Sequence, residues 1–272
     1  MRHSASSVDM ASMCGEAFRR RYIERERRSD HRVPNTIGKA VHLEAQVDLE
    51  FKIETGELIE DEAVEDIAAD SFESMWDDLE PDLDDDEKAR GRDTVRGEAK
   101  DLTVTMAKMH HTLIAPELNP THVERKLELR RPDLKWPTIG YVDVQEPNKI
   151  RDLKIPGKTP KAVDLHQSTQ AALYPALAEA MDGVRPEVFA IDALVKLKTP
   201  KRVTIETEVL DSEHVFERMK RIEDMVDAGT FLPADPRSWK CSEKWCEFFD
   251  DCPWGRARRV SFSVKTDSPE KP

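Results

Sequence analysis

The chain has 272 residues, of which 38% are hydrophobic and 36% charged, so it can bury a large core beneath a polar surface. No apolar run approaches the ~18 residues of a membrane-spanning helix, and residues 1–14 lack the apolar stretch of a signal peptide. These features predict a cytoplasmic protein with reduced thiols. The formal net charge of −13 at first argues against a nucleic-acid partner.

The uneven distribution of charge reverses that last argument. Residues 57–87 hold 16 acidic and no basic residues, and without them the chain would carry a net charge of +3. Residues 123–161 contain ten Lys or Arg against six Asp or Glu, and residues 1–32 contain eight Arg. Phosphate binding depends on such local basic surface. The acidic segment 57–87 is expected to be a solvated helical face; repelling wrong substrates and mimicking DNA are less favoured alternatives.

The N-terminal part of the chain is predicted to be helical, because apolar residues recur there with the period of a helix. The predicted helices cover about 6–28, 36–53, 60–79 and 88–113. A linker that contains Pro81 separates the last two. We expect residues 1–115 to form a helical wall.

From Thr121 onward the pattern changes to short β-type runs. Strands are predicted at 123–130, 138–145, 149–155, 188–197 and 202–210, and helices at about 163–182 and 211–228. This order implies an α/β core over 121–230, with one mixed sheet flanked by helices. A Cys-rich loop (231–256) completes a single domain over 1–256, and residues 257–272 are expected to form a flexible tail.

An acidic constellation falls on the first three predicted strands. Asp143 lies near the end of the second strand, and Asp152 and Lys154 lie two residues apart in the third, which places both on one sheet face. Carboxylates are the ligands that Mg²⁺ prefers, and an ammonium can orient an attacking water or stabilise a phosphoryl transition state. Glu124, at the start of the first strand, adds a further oxygen ligand. Alone, Asp-x-Lys is weak evidence, since a surface ion pair explains it equally well.

Two further pairs of residues strengthen the evidence that Asp-x-Lys marks a functional site. Gly38 and His42 form Gly-x-x-x-His on a predicted helix before the sheet, and Gln170 and Tyr174 lie one turn apart on the helix after it. Each residue has a structural alternative. His42 is otherwise a core histidine, Gln170 and Tyr174 a buried hydrogen-bonding pair, and Glu124 a partner of a neighbouring Arg or Lys.

Two other features carry no function. Gly157-Lys158-Thr159 mimics the end of a phosphate-binding loop, but Asp152 occupies the position that requires glycine, so no ATPase motif is present. His110 and His111 have no partner pattern and are expected to lie on the surface.

Four cysteines suggest a second metal centre. Cys14 stands alone, whereas Cys241, Cys246 and Cys252 lie within twelve residues. Four thiolates suit either tetrahedral Zn²⁺ or an iron–sulfur cluster; ordinary structural thiols are the alternative. The nearby aromatic residues are expected to shield the metal, or alternatively to stack bases of single-stranded DNA; they are Trp239, Trp245, Phe248, Phe249 and Trp254.

Taken in order, Gly-x-x-x-His, Gly-x-x-Asp, Asp-x-Lys and Gln-x-x-x-Tyr make the sequence resemble the RecB-like branch of the PD-(D/E)xK nuclease superfamily, from about residue 6 to residue 255. The resemblance implies a restriction-endonuclease-like core. It also implies DNA positioning by Gln170 and Tyr174. The residues that it implies for catalysis are Glu124, Asp143, Asp152 and Lys154, and those that it implies for metal binding are His42, Asp143, Asp152 and the carbonyl of Leu153.

The distal Cys14 followed by a C-terminal trio resembles the iron–sulfur branch of the same family, which includes CRISPR-associated, helicase-linked and bacteriophage exonucleases. That resemblance implies a 4Fe–4S cluster held by Cys14, Cys241, Cys246 and Cys252. The four-residue gap between the first two C-terminal cysteines departs from the family's usual two, so zinc stays open as an alternative.

The sequence therefore predicts an Mg²⁺- or Mn²⁺-dependent DNA exonuclease, and the family resemblance implies that it leaves a 5′-phosphate. The expected substrate is DNA with a single-stranded portion or a free end, in recombination, repair or phage replication. A recombination or replication protein is a candidate partner. The alternatives are a non-catalytic DNA-binding scaffold on a nuclease fold and an endonuclease of CRISPR spacer acquisition.

Overall fold

The computed structural model describes residues 1–26, 32–235 and 237–257. Its N-terminal part is helical, as predicted. The helices are α1 (Ala5–Met13), α2 (Gly15–Phe18), α3 (Val33–Thr55), α4 (Asp61–Leu79), α5 (Asp85–Arg90) and α6 (Arg92–Leu113). A π-helical turn (Arg19–Ile23) follows α2, and a 3₁₀ turn (Ala115–Glu117) follows α6.

The remaining elements are three strands, two helices, two further strands and two further helices. They are β1 (His122–Leu129), β2 (Thr138–Glu146), β3 (Lys149–Lys154), α7 (Ala162–His166), α8 (Thr169–Asp182), β4 (Val188–Val195), β5 (Lys201–Glu208), α9 (Glu213–Asp227) and α10 (Pro253–Ala257). Within the described residues the strands form one sheet in the order β1-β2-β3-β4-β5. Only the β3–β4 pair in this sheet is parallel, and the crossover between those strands carries α7 and α8.

Helices cover both faces of this sheet. On one face Val142, Ile150 and Phe189 pack against α1, α8 and α9; on the other, Val144 and Leu153 pack against α3, α4 and α6. The predicted α/β class, a mixed sheet flanked by helices, is therefore confirmed. No helix in the described ranges is both long and apolar enough to cross a bilayer.

Local capping explains where several helices end. Gly56 ends α3 with φ +83° and Gly183 ends α8 with φ +74°, a left-handed conformation that glycine adopts without strain. The single helix predicted at 163–182 is instead two helices. Ser168 begins the second of them, because its side chain accepts the backbone N–H of Ala171.

The acidic segment behaves as a solvated helical face. Val64, Ala68, Phe72 and Trp76 recur every four residues along α4 and are buried. The acidic residues of the helix lie outside this buried stripe, and three of them pair with basic residues of α6. The ion pairs are Glu73–Arg96, Asp77–Arg96, Glu73–Lys100 and Glu65–Lys108.

The prediction that His110 and His111 lie on the surface is wrong. Their residues are only 1% and 8% exposed, because the end of α6 packs between α3 and the sheet. His111 Nδ1 lies 2.9 Å from Oδ2 of the buried Asp48. The imidazole of His110 is enclosed, and burial lowers its pKa to about 3. The predicted tail, apart from Ala257, and the end of the first predicted helix (27–28) lie outside the described residues.

Candidate active site

The regular pleat of β1 and β2 is interrupted where Glu124 stands opposite Asp143. Val142 belongs to the apolar cluster that includes α8, whereas Val144 belongs to the cluster on the other face. Residues two apart in a regular strand share a face, so the alternation must break between them. Glu124 has a left-handed backbone with φ +46°, which is uncommon for a residue other than glycine. Strain of this kind costs about 1–3 kcal/mol and is concentrated at functional sites.

β2 and β3 separate at the same level. The last paired residues are Val144 of β2 and Arg151 of β3. The next pair would be Asp143 with Asp152, and it does not form. The carboxylate of Asp143 fills the opening, where its Oδ2 accepts the backbone N–H of Leu153 at 2.7 Å. Three strands thus bring Glu124, Asp143 and Asp152 to one level of the sheet.

His42 approaches these carboxylates from α3. Its Nδ1 lies 3.6 Å from Glu124 Oε1 and 3.7 Å from Asp143 Oδ2. The ligand atoms of all three side chains lie within 4.8 Å of one another, and the three are only half-buried. One imidazole and two carboxylates, open to solvent, form a set suited to a divalent cation.

The electrostatics of the group favour a bound cation. Burial, and after it the negative charge of Asp152, raise the pKa of Asp143 to about 7 against the opposing charges of His42 and Lys154. Burial lowers the pKa of His42, but Glu124 and Asp143 outweigh burial, so the net shift is upward. Both shifts reflect excess negative charge in a partly dehydrated place, which a divalent cation would neutralise.

Asp152 is enclosed by polar partners on the α8 side of the opening. It is only 2% exposed, and Lys154 Nζ lies 2.9 Å from its Oδ1 and 2.7 Å from its Oδ2. Gln170 Nε2 donates to Asp152 Oδ1 at 3.1 Å and to Tyr174 Oη at 3.1 Å. Burial lowers the pKa of Lys154, but Asp152 and Asp143 outweigh burial, so its pKa is raised and the ammonium stays charged.

Gly140 is a site-supporting residue that the sequence reasoning missed. A Cβ built at Gly140 would lie 2.8 Å from a ring carbon of Tyr174, closer than real contacts allow. Only glycine therefore lets the Tyr174 ring rest against β2. A glycine inside a predicted strand is the signal that could have revealed this close approach.

The structure thus gathers every predicted active-site side chain in one place, between α3 and α8. The pairing of Glu124 with its basic neighbour Arg125 is not seen, because Arg125 binds Asp182 and Gln145 instead. Gln170 and Tyr174 do hydrogen-bond to each other, and the same amide reaches the catalytic candidate Asp152.

The four cysteines meet elsewhere, where the N-terminal helices contact the C-terminal loop. All four line one cavity of about 100 Å³. Burial raises the pKa of the Cys246 thiol, and the negative charges of the other three add to that rise. Cys14 caps α2, where its sulfur accepts the backbone N–H of Ala17 at 3.4 Å.

Backbone and charged contacts hold these two segments together. Gly15 N–H donates to Leu232 O at 2.7 Å, and a Cβ at Gly15 would lie 2.9 Å from the Leu232 backbone. Two arginines of the π-helical turn reach across to the C-terminal loop, in the pairs Arg20–Asp251 and Arg21–Glu247. We call this contact between residues 14–21 and 231–252 the terminal clasp.

The aromatic residues around the cysteines divide into two groups. Phe248 and Phe249 are buried beside the cavity, as expected for shielding. Trp239, Trp245 and Trp254 are 61%, 54% and 53% exposed, although Trp245 and Trp254 also line the cavity, so shielding by these three stays a prediction. Trp239 packs edge-on against Trp245 at 5.2 Å, with Lys240 and Lys244 near the rings.

Comparison with known proteins agrees with this arrangement. The family model of the PD-(D/E)XK nuclease superfamily matches residues 2–253. A crystal structure described as a "putative exonuclease" from Eubacterium rectale superposes with a TM-score of 0.52 at 14% sequence identity, over 96% of this chain and 89% of that one. At that identity the likeness shows the fold alone. None of the curated proteins compared with the chain matches it.

Proposed function

The chain belongs to the PD-(D/E)XK nuclease superfamily, and we propose that it is a metal-dependent deoxyribonuclease that removes nucleotides from the ends of DNA with single-stranded character. The observation that carries this proposal is the meeting of His42, Glu124 and Asp143 beside the Asp152–Lys154 pair. A hydrolase of phosphodiester bonds needs such a combination of cation ligands and a fixed positive charge.

The residues present fit a hard or borderline divalent cation, Mg²⁺ or Mn²⁺. His42, Glu124 and Asp143 offer converging ligand atoms, and the family resemblance adds Asp152 and the carbonyl of Leu153. When bound, the cation offsets the negative charge that builds up on the phosphoryl oxygens. The left-handed backbone at Glu124 directs its carboxylate toward the other two ligands.

The remaining side chains of the site position the water and the DNA and stabilise the charge that develops on the phosphoryl group. Asp152 holds the Lys154 ammonium through both carboxylate oxygens, so the charge is fixed where it can orient water or stabilise the developing phosphoryl charge. Gln170 and Tyr174 form a polar edge beside this pair. We assign them to holding the DNA backbone next to the cation.

Two observations support action on DNA ends with single-stranded character. The E. rectale protein that shares the fold is described as a "putative exonuclease". The exposed Trp239–Trp245 pair, with lysines beside it, has the composition of a platform on which bases stack.

For the cysteines we propose a 4Fe–4S cluster rather than zinc. One water needs about 10–15 Å³ of comparable cavity volume, so a cavity of about 100 Å³ lined by four thiols suits a multi-atom cluster better than a single ion. The cluster would be structural, since it lies at the terminal clasp.

Labelled DNA tests the catalytic proposal. Anaerobically purified protein is incubated with 5′- and 3′-labelled single-stranded and duplex DNA, and with circular single-stranded DNA, with Mg²⁺, with Mn²⁺ or with chelator. We expect metal-dependent loss of nucleotides from linear substrates only. Cleavage of the circle would favour an endonuclease, and binding without cleavage would favour a scaffold protein.

Variants test the assigned residues. Asp143→Asn, Asp152→Asn and Lys154→Met should each lower the cleavage rate by roughly 10²-fold or more, with unchanged circular dichroism. Lys220→Ala, on the exposed side of α9, is the matched control for loss of one lysine and should retain full activity. Wild-type rates in any of the three variants would refute the role assigned to that residue.

Metal analysis tests the cluster. Anaerobic protein should contain iron and acid-labile sulfide and be brown, and Cys246→Ser should lose both. Stoichiometric zinc without iron would replace the cluster by the zinc alternative.

A further inference from the structure

A second group of metal-ligating side chains lies buried between α3 and α6, apart from the proposed active site. Glu44 and Asp48 stand one turn apart on α3, and His110 projects from α6. Their residues are 0%, 0% and 1% exposed. The three side chains offer ligand atoms that all lie within 4.8 Å of one another.

Three of the six carboxylate oxygens and ring nitrogens in this group have no partner in the protein. Both carboxylate oxygens of Glu44, and Nδ1 of His110, are buried without a hydrogen bond. A buried carboxylate with neither oxygen satisfied is strongly unfavourable, and native structures hold few such groups. The two side chains are close to each other, yet they do not bond to each other. Something that binds both is therefore expected between them.

The chemistry of the three groups selects a cation. Two carboxylates and a neutral imidazole balance the charge of one divalent ion. A mixed nitrogen and oxygen set accepts Zn²⁺ or a similar transition ion, and the complete burial of this group disfavours Mg²⁺, which usually keeps several waters. Ligand atoms placed about 2.0–2.2 Å from one zinc ion lie roughly 3–4.4 Å apart, which is compatible with the observed grouping.

Outer contacts hold Asp48 in place for this role. Its Oδ1 accepts the backbone N–H of Ile59 at 3.1 Å, and its Oδ2 lies 2.9 Å from His111 Nδ1. His111 Nε2 in turn lies 3.2 Å from Asp61. Ligating carboxylates are commonly oriented by such a second layer of hydrogen bonds.

We propose that Glu44, Asp48 and His110 bind a buried Zn²⁺-class ion that joins α3 to α6. The ion is separate from the one proposed at His42, because residues 42 and 44 point to nearly opposite sides of α3. Its role is structural: it fixes the helix that carries His42 to the helix behind it. This inference does not depend on nuclease activity.

Zinc content tests the proposal. The full chain and its Glu44→Gln variant are dialysed against Zn²⁺ and then against metal-free buffer, and zinc per chain is measured. Glu44→Gln should hold one equivalent fewer than wild type, whereas Asp143→Asn should keep that equivalent. Zinc held by the cysteines is the same in both proteins and cancels. Equal zinc in wild type and Glu44→Gln overturns the proposal.

Thermal unfolding gives an independent readout. In chelator, Glu44→Gln should unfold at the same temperature as wild type or higher, because it removes a buried carboxylate without partners. With Zn²⁺ added, wild type and Asp143→Asn should gain stability and Glu44→Gln should gain less. An equal gain in Glu44→Gln overturns the proposal. If Glu44→Gln fails to fold, zinc X-ray absorption of Asp143→Asn replaces this test. Zinc with nitrogen and oxygen ligands would support the proposal, and zinc with sulfur ligands alone would overturn it.

Discussion

Gly38 precedes His42 by one turn of α3, and a Cβ added there would meet nothing within 4 Å. Packing within the protein therefore does not require this glycine. Alanine is favoured over glycine in a helix by about 1 kcal/mol. The empty space beside His42 is instead available to a substrate.

We expect Gly38→Ala to raise stability by up to about 1 kcal/mol while it lowers the DNA cleavage rate, because the methyl group enters the space where DNA would lie. Urea unfolding and the labelled-DNA assay measure the two effects. Gly97→Ala is the matched control, since Gly97 is also in a helix with open space around it. It should stabilise without changing cleavage. Full activity of Gly38→Ala would show that this space is not used.

His3 adds a pH-dependent contribution to stability. It is 1% exposed, and its Nε2 lies 2.9 Å from Glu223 Oε1. Burial lowers its pKa more than Glu223 raises it. The unfolded chain therefore binds a proton on this histidine at a higher pH than the folded chain does. The stability that neutral His3 contributes is therefore fully present when the pH is above about 6.5, the ordinary pKa of histidine. It is lost progressively as the pH falls below that value.

Replacing His3 by Gln should flatten the loss of stability between about pH 7 and pH 5.5, by at most about 1.4 kcal/mol per pH unit. Urea unfolding at several pH values measures this slope. His214→Gln, at an exposed histidine of α9, is the control for loss of one imidazole. An unaltered slope in His3→Gln would contradict the prediction.

At the level of secondary structure, the site depends on where β2 loses its neighbour. After β3 separates from it, the first part of β2 pairs with the N-terminal segment instead. His3 N–H donates to Pro137 O at 2.8 Å, and Ile139 N–H donates to His3 O at 2.9 Å. On this side, among the described residues, β2 is therefore paired at both ends but not over residues 140–143, which end at Asp143, where the carboxylates converge.

The terminal clasp depends on a close approach of backbones at Gly15. We expect Gly15→Ala to destabilise the protein by about 1–3 kcal/mol, as overpacking commonly does, because the added Cβ would collide with Leu232. Limited proteolysis should become faster in the loop after residue 231. Gly97→Ala again serves as control. Unchanged stability and proteolysis would show that the two segments can move apart without cost.

Much of the fold followed from the sequence because periodicity is a local signal. Helices α3, α4 and α9 and all five strands lie within a few residues of their predicted bounds. His110 and His111 were misplaced because α6 is covered by both α3 and α4. Which side of a helix in such a wall is buried depends on contacts distant in sequence.

The residues of the candidate site could also be recognised in the sequence, because the spacing within strands and helices places them on a common side. Their geometry was not. The left-handed conformation of Glu124 and the separation of β2 from β3 arise from packing of three strands and two helices. The buried Glu44–Asp48–His110 group shows no motif in sequence, because its members lie on two helices more than sixty residues apart.

For the whole molecule, the cysteine site closes a loop from residue 14 to residue 241. Closing a loop of this length costs on the order of 5 kcal/mol of chain entropy, which ligation of the proposed cluster would offset. We expect Cys252→Ser to lose iron and to unfold at lower denaturant concentration under anaerobic conditions. Wild type stripped of iron should behave like the variant. A variant without iron but with wild-type stability would mean that the terminal clasp alone holds the loop closed.

The terminal clasp also governs the order in which a newly made chain can mature. Residues 14–21 leave the ribosome first, but their partners at Leu232, Glu247 and Asp251 are synthesised more than two hundred residues later. Until then residues 14–21 lack these partners, although α1 can already pack against α8 and α9, and the last contacts are of high sequence separation. The terminal clasp can therefore close only after Asp251 has been synthesised, which places its formation late in the folding of the chain.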